Sequence, residues 1–94
     1  MASVYILYSQ NADSYYVGSC KDLDERLAQH QKKEYAGFTS NENDWELFYS
    51  INDLSYKQSR DIELHIKKMK SRKYLQNLIQ YPEIAEKLKQ KYSL

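Results

Sequence analysis

Tyr5, Tyr16, Arg26 and His30 are the side chains whose types and spacing could do chemistry together. Tyr5 lies in Val4-Tyr5-Ile6 and Tyr16 opens Tyr16-Val17-Gly18. The segment Lys21-Asp22-Leu23-Asp24-Glu25-Arg26-Leu27-Ala28-Gln29-His30 follows at once. Phenols and an imidazole can carry protons, and a guanidinium can clamp an anion. Tyrosine, tyrosine-x-glycine, then arginine and histidine one helical turn apart would make a compact set of proton-transfer and anion-binding groups.

Such a set needs elements that bring it together. Ser3 to Ser9 reads as a strand rich in Val, Ile and Tyr, and Ser14 to Ser19 as a second, joined through Gln10-Asn11-Ala12-Asp13. With Asn11-Ala12 as a two-residue turn, Leu7 faces Tyr16 and Tyr5 faces Gly18. Period-two alternation then puts both motif tyrosines on one side of the hairpin. A one-residue slip would separate them. Asp22 can cap a helix with Glu25 three residues on, running to about Gln31 to Glu34. Leu23 and Leu27 mark its buried stripe, with Arg26 and His30 at the stripe's edge.

Further along, Tyr35 to Asp44 reads as a loop and Trp45 to Ile51 as a third strand. Ser55 can open a long helix reaching about Arg72, with Ile62, Ile66 and Met69 on its core face and Glu63 at the margin. Tyr74 to Gln80 is a further short helix. Pro82 marks a break before a polar helix from Glu83 to Tyr92, anchored by Ile84 and Leu88. The fold class is α/β (α+β), a small three-stranded, mainly antiparallel sheet flanked by helices.

Length and composition bound the rest. Ninety-four residues make one domain, with 41% hydrophobic and 29% charged residues as in soluble globular chains. No apolar run approaches the length of a bilayer span, and Met-Ala-Ser lacks signal-peptide order, so no membrane association and a cytoplasmic location are the expectation. The single cysteine, Cys20, reads as a small buried or half-buried residue. Net charge is only +1, yet unevenly spread. Asn41 to Leu54 holds four acids and no Lys or Arg. Arg60 to Lys73 holds six bases against Asp61 and Glu63, so one face could attract phosphate.

The combination resembles the GIY-YIG nuclease domain, from Val4 to roughly Ile79 and most strongly from Tyr16-Val17-Gly18-Ser19 through His30. Within that family it is similar to small stand-alone members related to the nuclease half of an excinuclease. The resemblance implies the same three-stranded fold. It matches Tyr5 and Tyr16 to the two motif tyrosines, and Gly18 to the glycine that lets substrate or a side chain approach the strand. It matches Arg26 to the family arginine, His30 to the His-or-Tyr position, and Glu63 to the metal-binding glutamate. Val4 replaces the usual glycine of the first motif, and Ser19 stands near where some members carry lysine. Asn77 is the only candidate for the family's late asparagine.

Phosphodiester hydrolysis needs a deprotonated water, charge stabilisation on the phosphorus oxygens and help for the departing oxygen. The resemblance assigns Tyr5 to the water's proton, Arg26 to the phosphate, Glu63 to one divalent metal, Mg²⁺ or Mn²⁺, and Tyr16 to positioning. A free tyrosine has a pKa of about 10, so Tyr5 needs the metal, nearby cations or a proton relay to His30. The expected partner is nucleic acid, DNA more than RNA, held by Gly18, Ser19, Lys67, Lys68, Lys70, Arg72 and Lys73. A partner protein could supply specificity.

Duller roles compete for each residue. The chain has ten tyrosines, any of which could simply pack in a strand. Arg26 and His30 could form a solvated helix edge, and Glu63 could merely pair with Lys67 at i+4. Two other classes stay open: a module of the same fold that binds nucleic acid without cleaving it, and a protein-interaction domain using Trp45, Phe48 and Tyr49.

Overall fold

In the computed structural model, residues 1–31 and 45–93 are described, the side chains of His30 and Gln31 excepted. The first two elements are the expected hairpin, β1 (Ala2–Ser9) and β2 (Ser14–Cys20). Its register is the one the two-residue turn predicts, with Tyr5 opposite Gly18 and Leu7 opposite Tyr16. The Asp13 amide donates to the Gln10 carbonyl at 3.2 Å, the Ala12 amide donates to Ser9 Oγ at 3.1 Å, and Asp13 takes a left-handed φ of 48°. Asp tolerates that region better than most residues.

β3 (Glu46–Leu54) pairs antiparallel on the other side of β1, giving the strand order β2-β1-β3. The central strand is covered on both faces, which is why Ala2 through Leu7 are all buried and the strand reads as an almost unbroken apolar run. β2 is left as an edge. The third strand begins one residue later than Trp45 and continues past Ile51 to Leu54. Two irregularities shape it. Ile6 faces Tyr49 but Leu7 faces Leu47, so Phe48 is the extra residue of a bulge; Asn52 and Asp53, the latter at φ 62°, make a second opposite Ser3. Ser3 Oγ donates to Asn52 Oδ1 at 2.9 Å across that second irregularity.

The first bulge reverses the alternation of β3. Phe48 and Tyr49 pack against the core on the Val4 and Ile6 side, while Trp45 packs with Tyr5, Leu7 and Cys20 on the opposite face. These three aromatics, the ones a protein-interaction role would use, are half-buried contributors to the core.

Helix α1 (Leu23–Gln31) covers the Tyr5 face, with Leu23 and Leu27 packed inward as the stripe predicts. Asp22 caps it: the Glu25 amide donates to Asp22 Oδ1 at 3.1 Å. The loop expected over Tyr35–Asp44 lies outside the described residues. On the Val4 face sit α2 (Tyr56–Met69), α3 (Arg72–Gln80) and α4 (Pro82–Lys91). Val4, Ile6, Ile62 and Leu78 there are essentially solvent-free, each side chain contributing about 1.5–3 kcal/mol of apolar transfer. α2 opens with a reciprocal capping box between Ser55 and Gln58, and Gln58 Nε2 also donates to the Lys89 carbonyl of α4 at 2.9 Å.

The long helix ends earlier than the sequence suggests. Lys70 adopts φ 48°, ψ 42°, and Ser71 caps a new helix by accepting from the Tyr74 amide at 3.2 Å. Met69, expected in the core, is consequently 45% exposed at the break. No described helix is long and apolar enough to cross a membrane.

Candidate active site

Tyr5 stands on the central strand and is fully buried, and its direct partner across the ladder is Gly18. The missing side chain of Gly18 makes room for the phenol. A Cβ there would stand 2.6 Å from Tyr5 Oη and 2.7 Å from Cζ. The Tyr5 ring therefore reaches across β2 toward its open edge. Tyr16, two residues before Gly18 and on the same face, places its ring 6.2 Å from that of Tyr5. The anchoring of Leu23 and Leu27 sets the rotation of α1, so that Arg26, one position before Leu27, turns toward the same edge.

Ser19 follows Gly18 and therefore points to the opposite face, where α2 lies. Its hydroxyl donates to Glu63 Oε1 at 2.5 Å. Ile62 and Ile66 are buried, and Glu63 between them is drawn to the margin, with its side chain only 14% exposed. Glu63 Oε2 accepts from Lys67 Nζ at 2.5 Å, the i+4 pair anticipated as the plain alternative. That pair and the Ser19 bond coexist on the two oxygens.

Glu63 and Tyr5 thus start from opposite faces of the sheet, yet they share one concavity. A hollow of ≈ 260 Å³ wraps the outer edge of β2 beside Gly18, with Tyr5, Tyr16, Arg26 and Glu63 all on its walls. β2 is an edge strand and Gly18 contributes no side chain, so nothing on the strand itself divides the two sides. His30 lies on α1 one turn past Arg26, and its side chain is outside those described.

The hollow adds two residues that the motif reading missed, Tyr56 and Arg60. Their spacing with Glu63 and Lys67 on α2 follows i, i+4, i+7, i+11, one face of a helix. Helical periodicity applied outward from Glu63 would have found them. Ser19, expected to touch nucleic acid, lines the hollow and also orients the glutamate.

The basic residues nominated for nucleic acid separate into groups. Lys67 is engaged with Glu63. Arg72 donates through NH1 to Asp13 Oδ1 at 2.9 Å and through NH2 to the Asp13 carbonyl, with its guanidinium 5.6 Å from the Tyr15 ring. It ties α3 to the hairpin turn. The guanidinium and the Tyr8 hydroxyl together hold the Asp13 carboxyl below its usual range. Lys70, with Lys67 and Arg72, lines a separate hollow of ≈ 250 Å³ along β2, while Lys68 and Lys73 are exposed. Asn77 is half-buried on α3 and is not among the residues around the Glu63 hollow.

Among the described residues no three His, Cys, Asp or Glu side chains cluster as a metal site. The donor set around Glu63 is one carboxylate with hydroxyls beside it, and a carboxylate has lone pairs beyond the two that Ser19 and Lys67 use. That hard-oxygen set suits a cation that keeps most of its waters, as Mg²⁺ does. Cys20 is buried under α1, and burial pushes its thiol up, away from nucleophilic use.

The family model described as the GIY-YIG catalytic domain matches residues 1–76, which takes in the sheet, α1, α2 and every residue of the hollow. No curated protein and no solved structure matches the chain.

Proposed function

The chain belongs to the GIY-YIG family, whose domain implies nuclease activity in general, and from that premise we propose that it is a metal-dependent endonuclease hydrolysing phosphodiester bonds, with DNA as substrate. The observation that supports this reading best is the single hollow at Gly18, which unites Tyr5, Tyr16 and Arg26 from one face with Glu63 from the other.

Each residue then has a defined task. Tyr5 Oη accepts the proton of the attacking water, and the buried ring holds that atom in one place. Arg26 pairs with two phosphate oxygens and neutralises the charge that grows on them. Tyr16, beside Tyr5, orients the water or the phosphate. His30 takes the proton onward from Tyr5. Glu63, fixed by Ser19, would hold one Mg²⁺ or Mn²⁺, which when bound supplies positive charge at the leaving oxygen. Lys67 balances the Glu63 charge in the free protein.

The test is cleavage of branched, nicked and single-stranded DNA with Mg²⁺ or Mn²⁺, compared with excess chelator and with RNA counterparts. Saturated single-turnover rates for Arg26→Ala and Glu63→Gln should fall by about 10²-fold or more, the scale of losing one electrostatic contact to the transition state. Tyr5→Phe should fold and cleave far more slowly. Undiminished cleavage in chelator would remove the metal from the mechanism, and a Tyr5→Phe protein as fast as the parent would make Tyr5 a packing residue. Tight binding without cleavage, unaffected by Glu63→Gln, would identify a binding module of the same fold.

A further inference from the structure

Lys67 and Arg72, two of the cations the sequence nominated for nucleic acid, are held by Glu63 and Asp13. Arg60 is different. It sits three residues before Glu63, lines the hollow, and has no carboxylate within ion-pair distance among the described residues. Its NH1 donates to the Tyr56 hydroxyl at 3.3 Å. That tether fixes the guanidinium without cancelling its charge.

Tyr56 is itself 48% exposed, far more than a packing tyrosine needs. Cations flank its ring: Lys21 Nζ is 5.1 Å from the ring centroid and Arg60 Cζ is 6.0 Å. Cation–π contact and the hydroxyl bond together brace Arg60 on the α2 wall of the hollow. Arg26 stands on the wall made by α1. Glu63 acts on Arg60 only beyond ion-pair distance and is itself paired with Lys67, so the guanidinium keeps its donors for an anion in the hollow, and its planar fork matches phosphate oxygens.

Resting on the nuclease reading, we propose that Arg60, braced by Tyr56, is a second phosphate-binding residue, gripping the nucleic-acid strand from the α2 side while Arg26 grips it from the α1 side. Arg60 touches substrate; Tyr56 is a positioning residue that acts through it. Arg60 is exposed, so its replacement leaves the core intact.

The experiment measures affinity of a fluorescein-labelled oligodeoxynucleotide, single-stranded and annealed, by anisotropy across a salt series, alongside single-turnover cleavage. Arg60→Gln should weaken binding about tenfold and lower the salt slope by about 1, the signature of one lost phosphate contact. Arg60→Lys should keep the slope and recover only part of the affinity, because it has charge without the fork. Tyr56→Phe keeps the ring and loses the acceptor, so it should weaken binding by a smaller factor with an unchanged unfolding midpoint. Parental affinity and slope in Arg60→Gln would overturn the proposal. If the parent cleaves and Arg26→Ala does not, that result removes Arg60 and leaves the nuclease reading standing. If the parent binds without cleaving while Arg60→Gln loses affinity and slope, the nuclease reading falls and the phosphate contact stands.

Discussion

Gly18→Ala isolates the contact on which the site depends. Gly18 has no left-handed φ, so alanine meets no backbone penalty there. Its Cβ, however, would lie 2.6 Å from Tyr5 Oη and 2.7 Å from Cζ. Restoring an ordinary separation of about 3.5 Å requires the phenol to retreat by roughly 0.9 Å. A flexible exposed side chain would do this easily, but Tyr5 is fully buried between Leu7, Cys20 and the leucines of α1. Overpacking of this kind costs about 1–3 kcal/mol, less the roughly 0.5–1 kcal/mol that Ala gains over Gly within a strand. The net expected loss is about 0–2.5 kcal/mol, so the domain should remain folded. A displacement near 1 Å at a reacting atom can cost about 10²-fold in rate. Urea denaturation and saturated single-turnover cleavage should therefore diverge, with modest destabilisation beside a rate loss of about 10²-fold. In a Tyr5→Leu background the new methyl has no phenol to strike, and Gly18→Ala should become neutral or stabilising, a coupling a double-mutant cycle would expose. Equal cleavage rates for Gly18→Ala and the parent would refute the close approach as the reason for the glycine.

Two further outcomes follow from positions away from the hollow. His65 shares a hydrogen bond of 2.9 Å between its Nδ1 and the Tyr92 hydroxyl, and burial first, then Lys91 and Lys68, lower its pKa below the ordinary 6.5. A histidine with a depressed folded pKa binds fewer protons than the unfolded chain. Its stabilising contribution is thus complete above about pH 6.5 and is lost as pH falls through the folded value; unfolding midpoints from pH 7.5 to pH 5 should decline in the parent and flatten in His65→Gln. Lys70 closes α2 in the left-handed region, which costs a side-chain-bearing residue about 1–2 kcal/mol. Lys70→Gly should raise stability by up to about 1 kcal/mol, read as a higher thermal midpoint, and a lower midpoint would show that the break is held by Lys70 itself.

Much of the local structure was legible in the chain. Turn residues and alternation placed Tyr5 opposite Gly18, and Asp22 and Ser55 announced their helices, because these signals act within a few residues. The motif order also carried the family. The left-handed Lys70 and the Phe48 bulge were not legible, since neither residue type advertises such a conformation and packing against β1 decides both the strand's length and its facing. Nor could charge counting show that Arg72 pairs with Asp13, 59 residues away, or that Ser19 is turned to Glu63, 44 residues away.

By itself, then, the sequence determined which residues could form a site, because residue type and spacing state what each side chain can do. Tertiary structure alone decided that Tyr5, Tyr16, Arg26 and Glu63 line one hollow. Ile62 and Ile66 bury on the face opposite Tyr5, and a glutamate between them would ordinarily be cut off from the tyrosines by the sheet. The strand order leaves β2 as an edge, and Gly18 leaves that edge without a side chain, so the hollow passes around it from Tyr5 to Glu63. Strand order follows from the pairing of β1 with β3, a contact between distant segments whose free energy no local pattern encodes.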